Sequence, residues 1–142
     1  MMDTHKQPGI KVKTVQQVKC TFERKLGQKG SLNNNFSFRY GYRLLENGCG
    51  LAELTLSARG EYKDKDPVAQ AYLAEITFIG VFEAMAGSEN MNLEEFLANN
   101  AAALLLPYIR ESLSALSIKS GLPAVYLPPI NIIALMENSG RS

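Results

Sequence analysis

The 142-residue chain has one histidine, two cysteines and no long uninterrupted apolar run. Each scarcity closes off some chemistry. His5 lies close to the amino terminus, so a histidine-based zinc site or a Ser-His-Asp triad, both of which need a positioned imidazole, is excluded. Cys20 and Cys49 have no CxxC neighbour and read as two free thiols of a reducing compartment. Without a long apolar run, no helix is expected to insert in a membrane. The start, MMDTHKQPGIKVK, carries charges with no apolar stretch behind them, so no signal peptide is readable and a cytoplasmic location is expected. No glycine-rich phosphate cradle follows a strand and opens a helix, and no cofactor is expected.

Net charge is also nearly absent, at +1, but its distribution is uneven. Residues 1–43 carry nine Lys or Arg against Asp3 and Glu23, a net +7, and the remainder carries six basic against twelve acidic residues. Such segregation can steer partners or pair copies of one chain. The lysines come with no aromatic-basic signature or recognition-helix pattern, so nucleic acid is not an expected partner.

What is present is apolar patterning, at 46% hydrophobic content, enough for one domain with a real core. That domain is expected to cover residues 1–142, with 1–9 disordered and 138–142 a frayed tail. Ile10, Val12 and Thr14 alternate with lysines, and Val18, Cys20 and Phe22 resume the alternation after a bulge expected at Val15–Gln17. Residues 27–35, GQKGSLNNN, read as a polar crossover without periodicity. Phe36, Phe38, Tyr40, Tyr42 and Leu44 then fall at period 2, placing four aromatic rings on one face of a strand. Turns at Glu46-Asn47-Gly48 and residues 61–67 bound a third strand with Ala52, Leu54, Leu56 and Ala58 on one face; residues 71–82 make a fourth. Four strands joined in sequence suggest an antiparallel meander.

Helical signals follow. Asn92 before LEEF is an N-cap with acids in the first turn. From about Asn99, the spacing of Leu104, Leu105, Tyr108, Ile109, Ser112, Leu113 and Leu116 describes one apolar stripe, with Pro107 inside it, Lys119 near its end and Gly121 as a C′ residue. Strands followed by helices predict an α+β fold: a four-stranded antiparallel sheet with a long helix and a short C-terminal helix on one side. The aromatic stripe, the tract from Ala124 to Ile133 and the IIALM segment together exceed what one sheet and one helix would hide. Surplus of this kind becomes an oligomer interface or a binding groove.

Catalytic constellations are sparse. Glu94 and Glu95 are adjacent and read as first-turn charges; Arg110 and Glu111 read as helix-surface charges; Glu75 and Glu83 lie eight residues apart on one strand. A sheet wrapped on a long helix also describes hot-dog thioesterases, for which only Glu94 or Glu95 could supply the carboxylate.

The stretch Leu106-Pro107-Tyr108-Ile109-Arg110-Glu111, then Gly121-Leu122-Pro123, then Leu127-Pro128-Pro129-Ile130-Asn131 with Ala134-Leu135-Met136, resembles the SecB export chaperones. Upstream, Tyr72-Leu73-Ala74-Glu75-Ile76 followed by Gly80-Val81-Phe82 is similar to that family's last strand. The resemblance implies a SecB-like sheet with two helices, a homotetramer built as a dimer of dimers, and a non-enzymatic activity: ATP-independent holding of unfolded client polypeptides for protein export. It implies a groove formed by Leu32, Phe36, Phe38 and Tyr40, by Tyr126, Leu127 and Ile130, and by Ile133, Leu135 and Met136 of a lid helix. It also implies a surface facing the SecA ATPase, at positions matching Lys19, Glu23, Arg59 and Glu61. Two of these four are basic where the family's face is acidic, which argues against SecA docking on electrostatic grounds. A dedicated chaperone for one partner, such as an antitoxin, is the alternative; a purely structural oligomer and the thioesterase are further readings.

Overall fold

The computed structural model describes residues 9–27, 29–85 and 92–130. Four strands, β1 (Ile10–Arg24), β2 (Leu32–Leu44), β3 (Cys49–Tyr62) and β4 (Gln70–Ala84), precede two helices, α1 (Leu93–Asn99) and α2 (Ala101–Lys119). The architecture is the expected α+β one; the expected short C-terminal helix lies outside the described residues, as do residues 1–8. Gly9 is inside them, with its carbonyl accepting from the Met85 amide at 2.5 Å.

All neighbouring strands are antiparallel, in the order β1-β4-β3-β2. The expected meander therefore holds for β2, β3 and β4 but not for β1, which pairs with β4 at the far edge. The connection from Arg24 to Leu32 crosses the end of the sheet. It is also shorter than the polar composition suggested, because Leu32 and the three asparagines after it already pair with β3, from Leu32↔Tyr62 to Asn35↔Arg59. Cross-strand partners supply the ladder that polar side chains do not forbid. The β2–β3 turn places Asn47 and Gly48 at φ 60° and 71°, the left-handed pair that matches the twist of a hairpin. β1 carries register shifts at two places, between Val12 and Thr14 and between Gln17 and Lys19, where one bulge at Val15–Gln17 was expected. Each shift reverses the side-chain parity, so the second restores what the first changed and Cys20 and Phe22 return to the helix side.

Registration sorts the side chains into two faces. Tyr40, Leu54 and Phe78 form one row on the helix side, and Phe38, Leu56 and Ile76 the next; Leu54, Leu56 and Ile76 are fully buried. α1 starts as expected: the Asn92 side chain accepts from the Glu95 amide at 2.7 Å, with Glu94 and Glu95 in the first turn. α2 is long and apolar enough to cross a membrane by length and composition alone. Here it lies on β3 and β4, burying Leu105, Leu106, Ile109 and Leu113. Leu104 and Tyr108 lie at the margin of the apolar stripe, 44% and 47% exposed, with the Tyr108 ring 5.6 Å from that of Phe78 on β4. Pro107 is exposed too, so the helix bond it forfeits falls on the solvent side, where water can replace it.

Past Gly121 (φ 79°) the chain turns back along α2 in extended form. Two serines hold it: Ser114 Oγ donates to the Val125 carbonyl at 3.1 Å, and the Val125 amide donates to Ser117 Oγ at 2.9 Å. The helix thus offers this tract hydroxyls in place of a neighbouring strand, and Leu122, Val125 and Leu127 are buried against the core.

One row crosses the whole sheet: Arg24, Tyr72, Gly60 and Asn34 are successive register partners. The Tyr72 ring lies over Gly60 and its hydroxyl donates to Asn34 Oδ1 at 2.7 Å. Phe22 stacks on that ring, with centroids 5.2 Å apart and planes at 7°. A Cβ on Gly60 would lie 2.3 Å from the Tyr72 ring, so only glycine lets the phenol span β3. At the opposite end of the row, Arg24 Nη1 donates to the Ser120 carbonyl at 2.6 Å, a cation at the negative terminus of α2. Burial pushes the Tyr72 phenol up to about 12, which keeps it a neutral donor at physiological pH.

On the helix-free face, Glu75 accepts from Lys19 at 2.6 Å and lies 3.6 Å from Arg39 Nη2. The Lys19 hydrogen bond, reinforced by both cations, holds its carboxyl below the ordinary 4.5. Beneath this ion triplet Thr55 and Thr77 are buried, their hydroxyls 2.7 Å apart.

Gly60→Ala should lower stability by about 1–3 kcal/mol through overpacking, read as a lower urea midpoint, whereas Tyr72→Phe should lose only about 1 kcal/mol for one hydrogen bond. A Gly60→Ala midpoint equal to wild type would mean the ring does not need that space. Because the carboxyl of Glu75 titrates lower folded than unfolded, its contribution is present above pH 4.5 and lost as pH falls below it. Thermal melts from neutral to acid pH should show Glu75→Gln converging on wild type in that acid window.

Candidate functional site

Leu32, Phe36 and Phe38 share the helix-side face of β2, in register with Tyr62, Ala58 and Leu56. Since β2 is an edge strand with no neighbour beyond it, these side chains pack onto the core yet remain partly exposed. They form an apolar margin of the sheet, interrupted by Asn34 between Leu32 and Phe36. Tyr40, one row further along, is 4% exposed and donates its hydroxyl to the Leu97 carbonyl of α1 at 2.5 Å. Burial, with a smaller effect from Tyr42, pushes that phenol well above the usual tyrosine range. Tyr40 thus anchors α1 under the margin rather than opening onto solvent.

The residues expected from the C-terminal tract separate by burial. Leu127 is buried and Ile130 packs on the core, while Tyr126 is 69% exposed. Ile133, Leu135 and Met136 lie outside the described residues.

The four positions of the implied SecA-facing surface fall on the other, helix-free face. Glu23 and Arg59 share one row, Glu23–Leu73–Arg59–Asn35, and Thr21–Glu75–Ser57–Ser37 is the row beside it. Lys19 lies one row further, opposite Thr77, and Glu61 lies beyond Arg59 on β3. These two rows of mostly short side chains line a concavity of about 600 Å³. Its charges are mixed: Glu75 is held between Lys19 and Arg39, and Glu23 is paired with Lys25. The acidic character that a basic docking segment requires is absent from this valley.

Sequence reasoning missed three features. Tyr62, the register partner of Leu32, is 5% exposed, and its hydroxyl has no hydrogen-bond partner among the described residues. Ser114 and Ser117 as the rail for the C-terminal tract also went unread, since serine inside an apolar stripe gives no sign of its partner. The valley also went unread, because it arises from side chains of four strands falling in register, which no local pattern announces.

A profile of the family described as "Preprotein translocase subunit SecB" matches residues 6–141. The protein-export protein SecB of Alkalilimnicola ehrlichii is 34% identical over 95 residues, 67% of this chain and 48% of that protein. An uncharacterized protein of Methanocaldococcus jannaschii is 32% identical over 113 residues, 78% of this chain and 69% of that protein. The chain spans about half the length of the bacterial SecB protein it matches. In fold, it is similar to the SecB-like chaperone of Mycobacterium tuberculosis solved in complex with a ChAD peptide from the HigA1 antitoxin. There the TM-score is 0.71 at 16% identity, covering 86% of this chain and 91% of that one. With the sheet order, the two helices and a family profile covering nearly its whole length, this chain belongs to the SecB family.

Proposed function

We propose that this protein is a molecular chaperone that binds unfolded or precursor polypeptides along an apolar groove without ATP, in the service of protein export. The observation that carries the reading is the partly exposed row Leu32, Phe36 and Phe38 on an edge strand of a SecB-family chain. A client laid along that margin would bury apolar area worth roughly 25 cal/mol per Å², without a demand for one sequence. Many weak contacts on one chain add up to tight holding. Tyr40 and Leu127 support the groove from beneath, Ile130 continues it, and Tyr126 supplies an exposed ring beside it. Glu94 and Glu95, the carboxylates a thioesterase would need, both stand exposed in the first turn of α1, and no enzymatic role is assigned to them.

Assembly as a homotetramer draws support from the exposed apolar surface of Leu104 and Tyr108 on the flank of α2, since patches of this kind find a partner surface. A cytoplasmic site of action suits a holder of unexported precursors. SecA docking through the helix-free face is disfavoured by Lys19 and Arg59. The second reading, a chaperone dedicated to a single partner, draws support from the fold likeness to the Mycobacterium tuberculosis protein, whose bound peptide comes from an antitoxin.

Substoichiometric protein should stop a chemically unfolded test protein from aggregating with no nucleotide added; a folded oligomer that suppresses nothing would favour the dedicated reading. Replacing Phe36 and Phe38 with Ser should weaken client binding about ten-fold or more, given roughly 1.5–3 kcal/mol per buried aromatic side chain. Mass by light scattering should stay unchanged. Unaltered client affinity in a folded double variant would remove β2 from the groove.

A further inference from the structure

The valley on the helix-free face has features that client holding does not use. It is built from two complete register rows across the four strands, on the side of the sheet opposite the Leu32 and Phe38 side chains, with Phe36, Ala58 and Ala74 also contributing to its wall. Thr21, Ser57, Ser37 and Asn35 are short, so the rows sink below the ion triplet of Lys19, Glu75 and Arg39 that forms one rim. Leu73 stands in the valley at 41% exposure, an aliphatic side chain among hydroxyls and an amide.

Charge decides what such a site accepts. Both acids lining the valley are engaged, Glu75 by Lys19 and Arg39 and Glu23 by Lys25. Arg59 lines the same valley, is exposed, and makes no ion pair among the described residues. Glu61, two residues along β3 on the same face, offsets part of its charge. Counting Lys19, Lys25, Arg39 and Arg59 against Glu23, Glu61 and Glu75, the surroundings keep a net positive charge. The uncommitted group is a guanidinium, whose planar fork suits a carboxylate better than any other side-chain partner.

We propose that this valley is a second docking site, separate from the client groove, for an acidic segment of a partner protein that sets a carboxylate on Arg59 and an aliphatic side chain on Leu73. The occupant has the opposite charge from the basic segment that an acidic sheet face would take. Because the two sites lie on opposite faces of the sheet, a partner can dock here while a client occupies the groove. The inference does not depend on the groove assignment.

The test titrates intact protein with a short fluorescein-labelled peptide of alternating glutamate and leucine, read by fluorescence polarisation, beside peptides with glutamine or lysine in place of glutamate. The acidic peptide should bind, and more weakly as salt rises; the lysine peptide should not. Arg59→Glu should weaken binding by about ten-fold or more and Arg59→Gln by less, as for a charge at an interface. Leu73→Ser should weaken it independently. Suppression of aggregation of an unfolded test protein should be unchanged in all three variants, and a Phe38→Ser variant, altered on the helix side only, should keep its peptide affinity. No acidic-peptide binding, equal binding of the lysine peptide, or indifference to Arg59→Glu would each overturn the proposal, as would loss of peptide binding in the Phe38→Ser variant.

Discussion

The reach of one tyrosine ring across a missing side chain holds this architecture together. Tyr72 crosses β3 above Gly60 to Asn34, and Phe22 covers the ring. One residue further along the same row, Arg24 grips the end of α2 through Ser120. A single register row therefore connects the β1 edge, the centre of the sheet, the β2 edge and the helix terminus. The crossover between β1 and β2 has almost no apolar content to pack, and this row secures both of its ends. Without Gly60 the phenol could not pass, and the asparagine at the start of β2 would lose its partner.

From that row outward, the two faces of the sheet follow different physics. The helix side is organised by burial: α2 seats on β4 where Gly80 leaves room for the Phe82 ring and Leu105, and the serine rail brings the C-terminal tract down onto the core. The margin at β2 is where this burial is incomplete, since an edge strand has covering elements on one side only. The helix-free side is organised by charge. There Glu75 joins Lys19 and Arg39 above a buried threonine pair, and Glu83 lies between Lys11 and Lys13. The two faces therefore differ in character, one with an apolar margin and the other with paired charges.

Strand and helix identity was legible in the sequence because period 2 and period 3.6 are local properties: Phe36 to Tyr42, Ala52 to Ala58 and Leu105 to Leu113 each announce their element. The caps at Asn92 and Gly121 were legible for the same reason. The placement of β1 was not. Nothing between Ile10 and Arg24 says which strand it will pair with, and adjacency in sequence pointed to β2 rather than β4. Likewise Leu104 and Tyr108 fit a helical stripe by spacing, but which side of that stripe meets the sheet depends on where α2 lands.

By itself the sequence determined the α+β class, the surplus of apolar side chains and the family, because these reside in local patterning and in prolines and glycines at particular intervals. The tertiary structure decided which of those side chains are available. Tyr40 and Leu127 are turned inward while Phe36, Phe38 and Tyr126 keep exposed surface, and among the described residues Arg59 makes no ion pair while Glu75 has two neighbouring cations. Exposure and pairing are set by strand order, register and the seat of a helix, all of which depend on contacts between residues far apart in the chain.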